Sequence, residues 1–95
     1  LNVKPMITLK DGETAPVGQV RSRAKGIDRL FDFVKNATNI QDLAIAYSTT
    51  PDEAQALAEH IGSIFDRERI KIARVGTTLG VHAGPGFLVV AFREA

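Results

Sequence analysis

Two stretches with helical apolar spacing alternate with short apolar stretches along this chain, and that alternation restricts the fold more than any other feature. Apolar residues at i, i+3, i+4 and i+7 predict an amphipathic helix from about Arg23 to Asn36, with Ser22 as its N-cap. A second helix is predicted after Thr50. Each helix has one apolar face to bury, and the strands between them supply a sheet for both. The sequence therefore predicts an α+β fold, a two-layer sandwich with two main helices on one face of a mixed β-sheet.

The strands complete a predicted order of β-β-α-β-α-β-β. Two β-type runs, Val3 to Leu9 and Glu13 to Val20, flank Asp11-Gly12, a dipeptide that favours the tight turn of a hairpin. The later predicted strands are Asp42 to Ser48, Ile70 to Val75 and Phe87 to Phe92, with a turn or short helical segment at Thr77 to His82. The sequences LAIAY and FLVVAF are apolar at both alternating sets of positions, so the second face of these strands also requires a cover.

The start of the second helix has a recognisable capping pattern. Thr50 at the N-cap, Pro51 at N1 and Glu53 at N3 are predicted to form a capping box. Ser48 and Thr49 end the preceding strand, where their hydroxyls could serve a ligand, although capping accounts for most of this cluster. The predicted buried face of the helix consists of Ala54, Leu57, Ala58, Ile61, Ile64 and Phe65.

The composition indicates a single domain and excludes several classes of protein. Its 95 residues suffice for one modest core, and a formal charge of +1 without a long block of like charge argues against nucleic acid as a partner. Cysteine is absent, which excludes disulfides and thiolate catalysis and fits a cytoplasmic protein. No apolar run approaches the roughly 18 residues of a membrane span. The first residues, LNVKPMITL, lack an initial methionine and already resemble a strand, so we expect a piece of a longer protein.

The segment GVHAGPG, residues 80–86, places one of the two histidines among three glycines directly before the last strand. Pro85-Gly86 fits the central positions of a type II turn, where glycine supplies a positive φ. One interpretation is a turn that simply starts the strand. The other is a ligand loop, in which glycines allow close backbone approach and His82 offers a donor to a carboxylate or phosphate. A nucleotide P-loop is excluded because no lysine and hydroxyl follow the glycines.

The remaining polar residues give weaker signals. Arg21 to Arg23, in the sequence RSR, precede the first helix; they are either solvated, bound to an anionic partner, or paired with an acidic residue across the domain. His60 is predicted to be a solvated residue of the second helix. The two histidines lack metal-ligand spacing, and no serine has a recognisable catalytic partner, so neither a metal, a cofactor nor an enzymatic activity is expected.

Three segments in this order, KPMITLKDGETAPVGQVRSRAKG, AYSTTPDEAQALAEHI and GVHAGPGFLVVAF, resemble the DegV family of fatty-acid-binding proteins. The C-terminal domain of that family carries a lysine-proline strand, a basic Arg-[Thr/Ser]-Arg junction and a terminal Gly-x-His-x-Gly-Pro-Gly motif. The resemblance covers essentially all 95 residues. It implies that this chain corresponds to the C-terminal domain, and that an N-terminal domain of the same protein is missing from it.

The resemblance also implies a function, which is binding of a long-chain fatty acid as a carrier for phosphorylation by a fatty-acid kinase. His82 would contribute to the polar network at the lipid carboxylate, Gly84 and Gly86 would allow close backbone approach, and Arg21 would face the phosphorylated head group or the kinase. Val81 and Ala83 replace the threonines often found around this histidine, so those hydroxyls are not available. The resemblance leaves room for a transient membrane contact. The alternative is a regulatory or protein-interaction domain of α+β type that binds no lipid.

The uncovered face of the predicted sheet leads to one further expectation. Both helices should lie on the same side, so the lipid and the N-terminal domain are expected to cover the other side. An exposed apolar patch larger than a few hundred Å² usually finds a partner. We therefore expect self-association of the isolated 95-residue chain.

Overall fold

A computed structural model describes residues 6–10, 13–16, 22–75 and 86–94 of the chain. The elements are β1 (Met6–Lys10), β2 (Glu13–Pro16), α1 (Arg23–Lys35), β3 (Ile40–Tyr47), α2 (Pro51–Ile61), a 3₁₀ turn (Arg67–Arg69), β4 (Ile70–Arg74) and β5 (Leu88–Glu94). The predicted order of strands and helices is confirmed. The predicted hairpin turn at Asp11-Gly12 and the predicted segment from Thr77 to His82 lie outside the described residues.

The strands form a five-stranded mixed sheet in the order β2-β1-β5-β3-β4. β1 pairs antiparallel with β2 and parallel with β5, while β3 pairs antiparallel with β5 and parallel with β4. The hairpin prediction is therefore correct for the two first strands. Because β3 and β4 are parallel, their carboxyl ends lie at one edge of the sheet, and the antiparallel β5 begins at that same edge.

The core lies between the helices and one face of β3, β4 and β5. Alternate residues of these strands are buried, as expected for a sheet covered on that side. The fully or almost fully buried apolar residues are Leu30, Val34, Leu43, Ile45, Ala54, Leu57, Ala58, Ile61, Ile70, Leu88, Val90 and Phe92. The predicted α+β sandwich is thus confirmed.

One residue assigned to the buried face of α2 is placed differently. Ile64 is 49% exposed, whereas Phe65 is half-buried and packs against the core. The reason is that α2 ends at Ile61. Beyond that point the chain turns, so the helical spacing that predicted burial of Ile64 no longer applies.

The two helix starts differ in their capping. The Ser22 hydroxyl accepts a hydrogen bond from the Lys25 amide at 3.2 Å, which confirms the N-cap of α1. For α2, the predicted N-cap position of Thr50 and the proline at the start of the helix are confirmed, but the predicted capping box is wrong. Thr50 has φ −122° and ψ 70° and makes no side-chain cap, in contrast to the extended backbone of Ser22. The Thr50 hydroxyl is buried without a hydrogen-bond partner among the described residues, and Glu53 is bound to an arginine of α1.

The second face of the sheet consists largely of small apolar residues. The strand register places Ala44 opposite Ala91 and Ala46 opposite Val89, and all four are half-buried. In β4, the other neighbour of β3, the exposed Ala73 lies opposite Ala46. We call these five alanine and valine residues the small-residue face. Its side chains point away from the buried residues Leu43, Ile45 and Val90, which pack with the helices.

Candidate functional site at the carboxyl ends of β3 and β4

Several polar side chains that bind the backbone or each other by hydrogen bonds meet at one edge of the sheet. This edge contains the carboxyl ends of β3 and β4, the first residues of β5 and the starts of both helices. It is also where the sequence places the end of the GVHAGPG segment. We call this region the β3–β4 edge.

Ser48 extends the pairing of β3 with β5 by one residue. The Ser48 amide donates to the Phe87 carbonyl at 3.1 Å, and the Phe87 amide donates to the Ser48 hydroxyl at 2.9 Å. The next residue, Thr49, accepts a hydrogen bond from the Gly86 amide at 2.9 Å through its hydroxyl. These two hydroxyls therefore fix the backbone of the Gly86-Phe87 dipeptide rather than cap the following helix.

Gly86 has φ +79°, a value that glycine adopts without strain and other residues rarely do. The positive φ predicted from the Pro85-Gly86 pair is thus present, while Pro85 itself lies outside the described residues. The Gly86 carbonyl accepts a hydrogen bond from Arg23 Nη1 at 2.9 Å. Both polar backbone atoms of this glycine are therefore held, by Thr49 on one side and by Arg23 on the other.

Arg23 also joins the starts of the two helices. Its Nε donates to Glu53 Oε2 at 3.1 Å, and its Nη2 forms a second, short contact with Glu53 Oε1. The side chains are 24% and 27% exposed, so the pair is shielded from most solvent. A two-pronged guanidinium-carboxylate contact fixes orientation as well as distance. Of the alternatives for the RSR sequence, pairing with an acidic residue across the domain is correct for Arg23.

The carboxyl end of β4 contributes a further cation. Arg74 donates from Nε to the Ser48 carbonyl at 3.2 Å. The next residue, Val75, donates its amide to the Tyr47 carbonyl at 2.7 Å, which continues the β3–β4 ladder. Sequence reasoning missed Arg74, although its position directly after the apolar stretch of a strand was a usable signal.

The predicted site residues divide into two groups. Gly86 lies at the β3–β4 edge, while Arg21, His82 and Gly84 lie outside the described residues. His60 is exposed, as predicted, but its ring stacks on Phe31 of α1 with centroids 3.8 Å apart and planes 6° apart. It therefore takes part in packing between the helices, away from the β3–β4 edge.

Metal-binding clusters and membrane-spanning helices are both absent from residues 22–75 and 86–94 and from the described parts of β1 and β2. No group of three or more histidine or acidic side chains there is arranged to hold a metal ion. None of the helices in these ranges is long and apolar enough to cross a membrane.

Comparison with known proteins gives matches over the whole chain. Residues 1–95 match the family model described as "Uncharacterised protein, DegV family". A DegV domain-containing protein of Streptomyces coelicolor is 33% identical over 98 residues, which cover 95% of this chain and 33% of the relative. One from Clostridium perfringens is 32% identical, covering 97% and 33%, respectively. The chain thus spans about a third of the length of these relatives. No solved structure gives a significant match.

Proposed function

Because the chain belongs to the DegV family over residues 1–95, we propose that it is a lipid-binding domain that helps to bind a long-chain fatty acid. In this proposal the domain contributes part of the carboxylate site and is not itself an enzyme. The relatives are about three times as long as this chain, so an N-terminal domain of the same protein is proposed to supply the rest of the site. The full-length protein would act in the cytoplasm as a carrier for phosphorylation of the lipid by a fatty-acid kinase.

The observation that carries the proposal is the set of hydrogen bonds that fixes the backbone of Gly86. Thr49 and Arg23 bind its amide and carbonyl, and its φ of +79° is the conformation that the Pro-Gly turn requires. His82 precedes Gly86 by four residues in the sequence. We propose that it serves the ligand at the β3–β4 edge, to which Gly86 is fixed.

The chemistry of a fatty acid matches such an edge. A carboxylate at the end of an apolar site must be hydrogen-bonded, because burying it unpaired is very costly. His82 offers an imidazole N–H, and glycines such as Gly84 and Gly86 let the ligand approach the backbone closely. Arg21, two residues before Arg23, is proposed to face the phosphorylated head group or the kinase.

The small-residue face suits the apolar part of the ligand or the domain that encloses it. Alanine and valine present a smooth surface, so an acyl chain or a packed helix can lie close to the sheet. Each buried CH₂ contributes roughly 0.8 kcal/mol, so a long acyl chain supplies most of the affinity. The acidic head group then determines orientation and selectivity.

Mass spectrometry and calorimetry test the proposal on the full-length protein. A fatty acid copurified under native conditions supports the carrier, and its absence together with a lack of binding by calorimetry favours an interaction domain without lipid. We expect His82→Ala to weaken fatty-acid binding by about ten-fold or more while the fold is retained, because a hydrogen bond to a charged group is lost. Unchanged affinity in this variant would contradict the head-group role of His82.

A further inference from the structure

We infer that Arg74 is a specificity-determining residue of the β3–β4 edge, which supplies the positive charge for the acidic head group of the bound lipid. This inference rests on the proposed function and adds to it a residue that the family motifs quoted above do not include. It is carried by the contacts of Arg74 and by the contrast with Arg23, the other arginine described at this edge.

The positive charge of Arg23 is compensated by an acidic residue within the domain. Its Nε and Nη2 bind the Glu53 carboxylate, and its Nη1 binds the Gly86 carbonyl. Because the Glu53 carboxylate compensates the charge of this guanidinium and all three of its nitrogens are engaged, Arg23 attracts an anionic ligand only weakly. Arg23 therefore positions the Gly86 turn and is a poor candidate for an anion site.

Arg74 has the opposite arrangement. Its Nε is anchored to the Ser48 carbonyl at 3.2 Å, and the structure gives it no carboxylate partner within residues 22–75 and 86–94. The residue is exposed, so the guanidinium is accessible to a ligand. The anchor restricts where the side chain can go, which reduces the entropy lost when a ligand binds.

The anchor also connects Arg74 to the turn that the proposed function depends on. Ser48, whose carbonyl holds Arg74, binds Phe87 through both its amide and its hydroxyl. Phe87 directly follows Gly86 in the chain. The guanidinium of Arg74 is thus fixed to the same short stretch of β3 that fixes the end of the histidine-containing segment, and an accessible planar cation there suits a carboxylate.

Arg69 provides a matched control at the other end of the same strand, in the 3₁₀ turn that precedes it. It precedes the first residue of β4, at the opposite end from Arg74, where its Nη2 donates to the Gln41 carbonyl and its guanidinium lies 4.9 Å from the centre of the Phe65 ring. Replacement of either arginine by glutamine removes one positive charge and one hydrogen bond to a backbone carbonyl. Only the replacement at Arg74 changes the β3–β4 edge.

The experiment uses the full-length protein with two ligands of equal chain length, a fatty acid and the corresponding fatty alcohol. We expect Arg74→Gln to weaken binding of the fatty acid by about ten- to a hundred-fold and to leave binding of the alcohol within about two-fold. Arg74→Lys, which keeps the charge but not the planar fork, should lose less acid affinity than Arg74→Gln. Arg69→Gln should change neither affinity.

The outcomes separate this inference from the proposed function. If the unmodified protein bound neither ligand, the proposed function would fail and the inference with it. If the unmodified protein bound the fatty acid and Arg74→Gln bound it equally well, only the inference would be overturned. Equal losses for acid and alcohol would also overturn it, because they would assign Arg74 a purely structural role at the Ser48 carbonyl. Circular dichroism of each variant verifies that it is folded. If Arg74→Gln is not folded, the affinities of Arg74→Lys for the fatty acid and the fatty alcohol are compared instead.

Discussion

Replacement of Gly86 by alanine tests the geometry on which the candidate site depends. The backbone of Gly86 has φ +79°, in the left-handed region. A Cβ built there would lie 3.4 Å from Arg23 Nη1 and 3.9 Å from Arg23 Cζ, which is ordinary van der Waals contact. Space is therefore available for a methyl group, and backbone strain is the main cost of the substitution.

The size of the effect follows from that strain. A residue other than glycine in the left-handed region costs about 1–2 kcal/mol, and the smaller entropy of the unfolded alanine chain offsets only part of it. We expect Gly86→Ala to lower the free energy of unfolding by about 0.5–1.5 kcal/mol. For a domain of this size the urea slope is about 1 kcal/mol per molar, so the unfolding midpoint should fall by about 0.5–1.5 M urea.

Urea unfolding followed by circular dichroism measures this change, and Gly86→Asn serves as the control. Asparagine tolerates a positive φ better than alanine but is larger. If strain is the cause, the asparagine variant is the more stable of the two. If crowding against Arg23 is the cause, the asparagine variant is the less stable. An alanine variant as stable as the unmodified protein would refute the argument, because Gly86 could not then be held at a positive φ.

Three further perturbations test other contacts. A double-mutant cycle with Arg23→Gln and Glu53→Gln should give a coupling of about 1 kcal/mol in urea unfolding, since the pair is two-pronged and mostly shielded; additive effects would show that the pair contributes no stability. Ser48→Ala leaves the Phe87 amide without its acceptor, so we expect a loss of about 1–2 kcal/mol and faster hydrogen exchange at that amide; unchanged exchange would contradict the contact. Sedimentation of the 95-residue chain should show self-association that Ala91→Glu on the small-residue face weakens, and a strictly monomeric unmodified chain would argue against it.

Much of the fold was predictable because it depends on local patterns. The spacing of apolar residues located both helices, and Ser22 capped α1 as its sequence position indicates. The dipeptide Pro85-Gly86 predicted the positive φ of Gly86 from turn chemistry alone. In each case the residues that determine the structure lie within a few positions of one another, so a single sequence contains the necessary information.

The errors at Glu53 and Arg74 arose where a distant residue decided the outcome. Glu53 was expected to close a capping box beside Thr50, but its carboxylate is bound by Arg23, thirty residues earlier. A bidentate contact with a guanidinium is stronger than a capping hydrogen bond, and no local pattern reveals which arginine is near. Arg74 was overlooked for the same reason, because its significance comes from the neighbouring strand that ends in Ser48.

The hydrogen bonds on both sides of residues 76–85 have a consequence for how this protein can change. Val75 is bound to Tyr47, and Gly86 and Phe87 are bound to Thr49 and Ser48, so both ends of the intervening segment are attached to the same three-residue stretch. The attachments at both ends therefore depend on residues outside this segment, and doubling the length of a flexible connection between two fixed ends adds only about 0.6 kcal/mol to the cost of closing it. Exchange or lengthening of residues 76–85, by evolution or in engineering, thus leaves the hydrogen bonds that join Val75, Gly86 and Phe87 to β3 and its end unchanged.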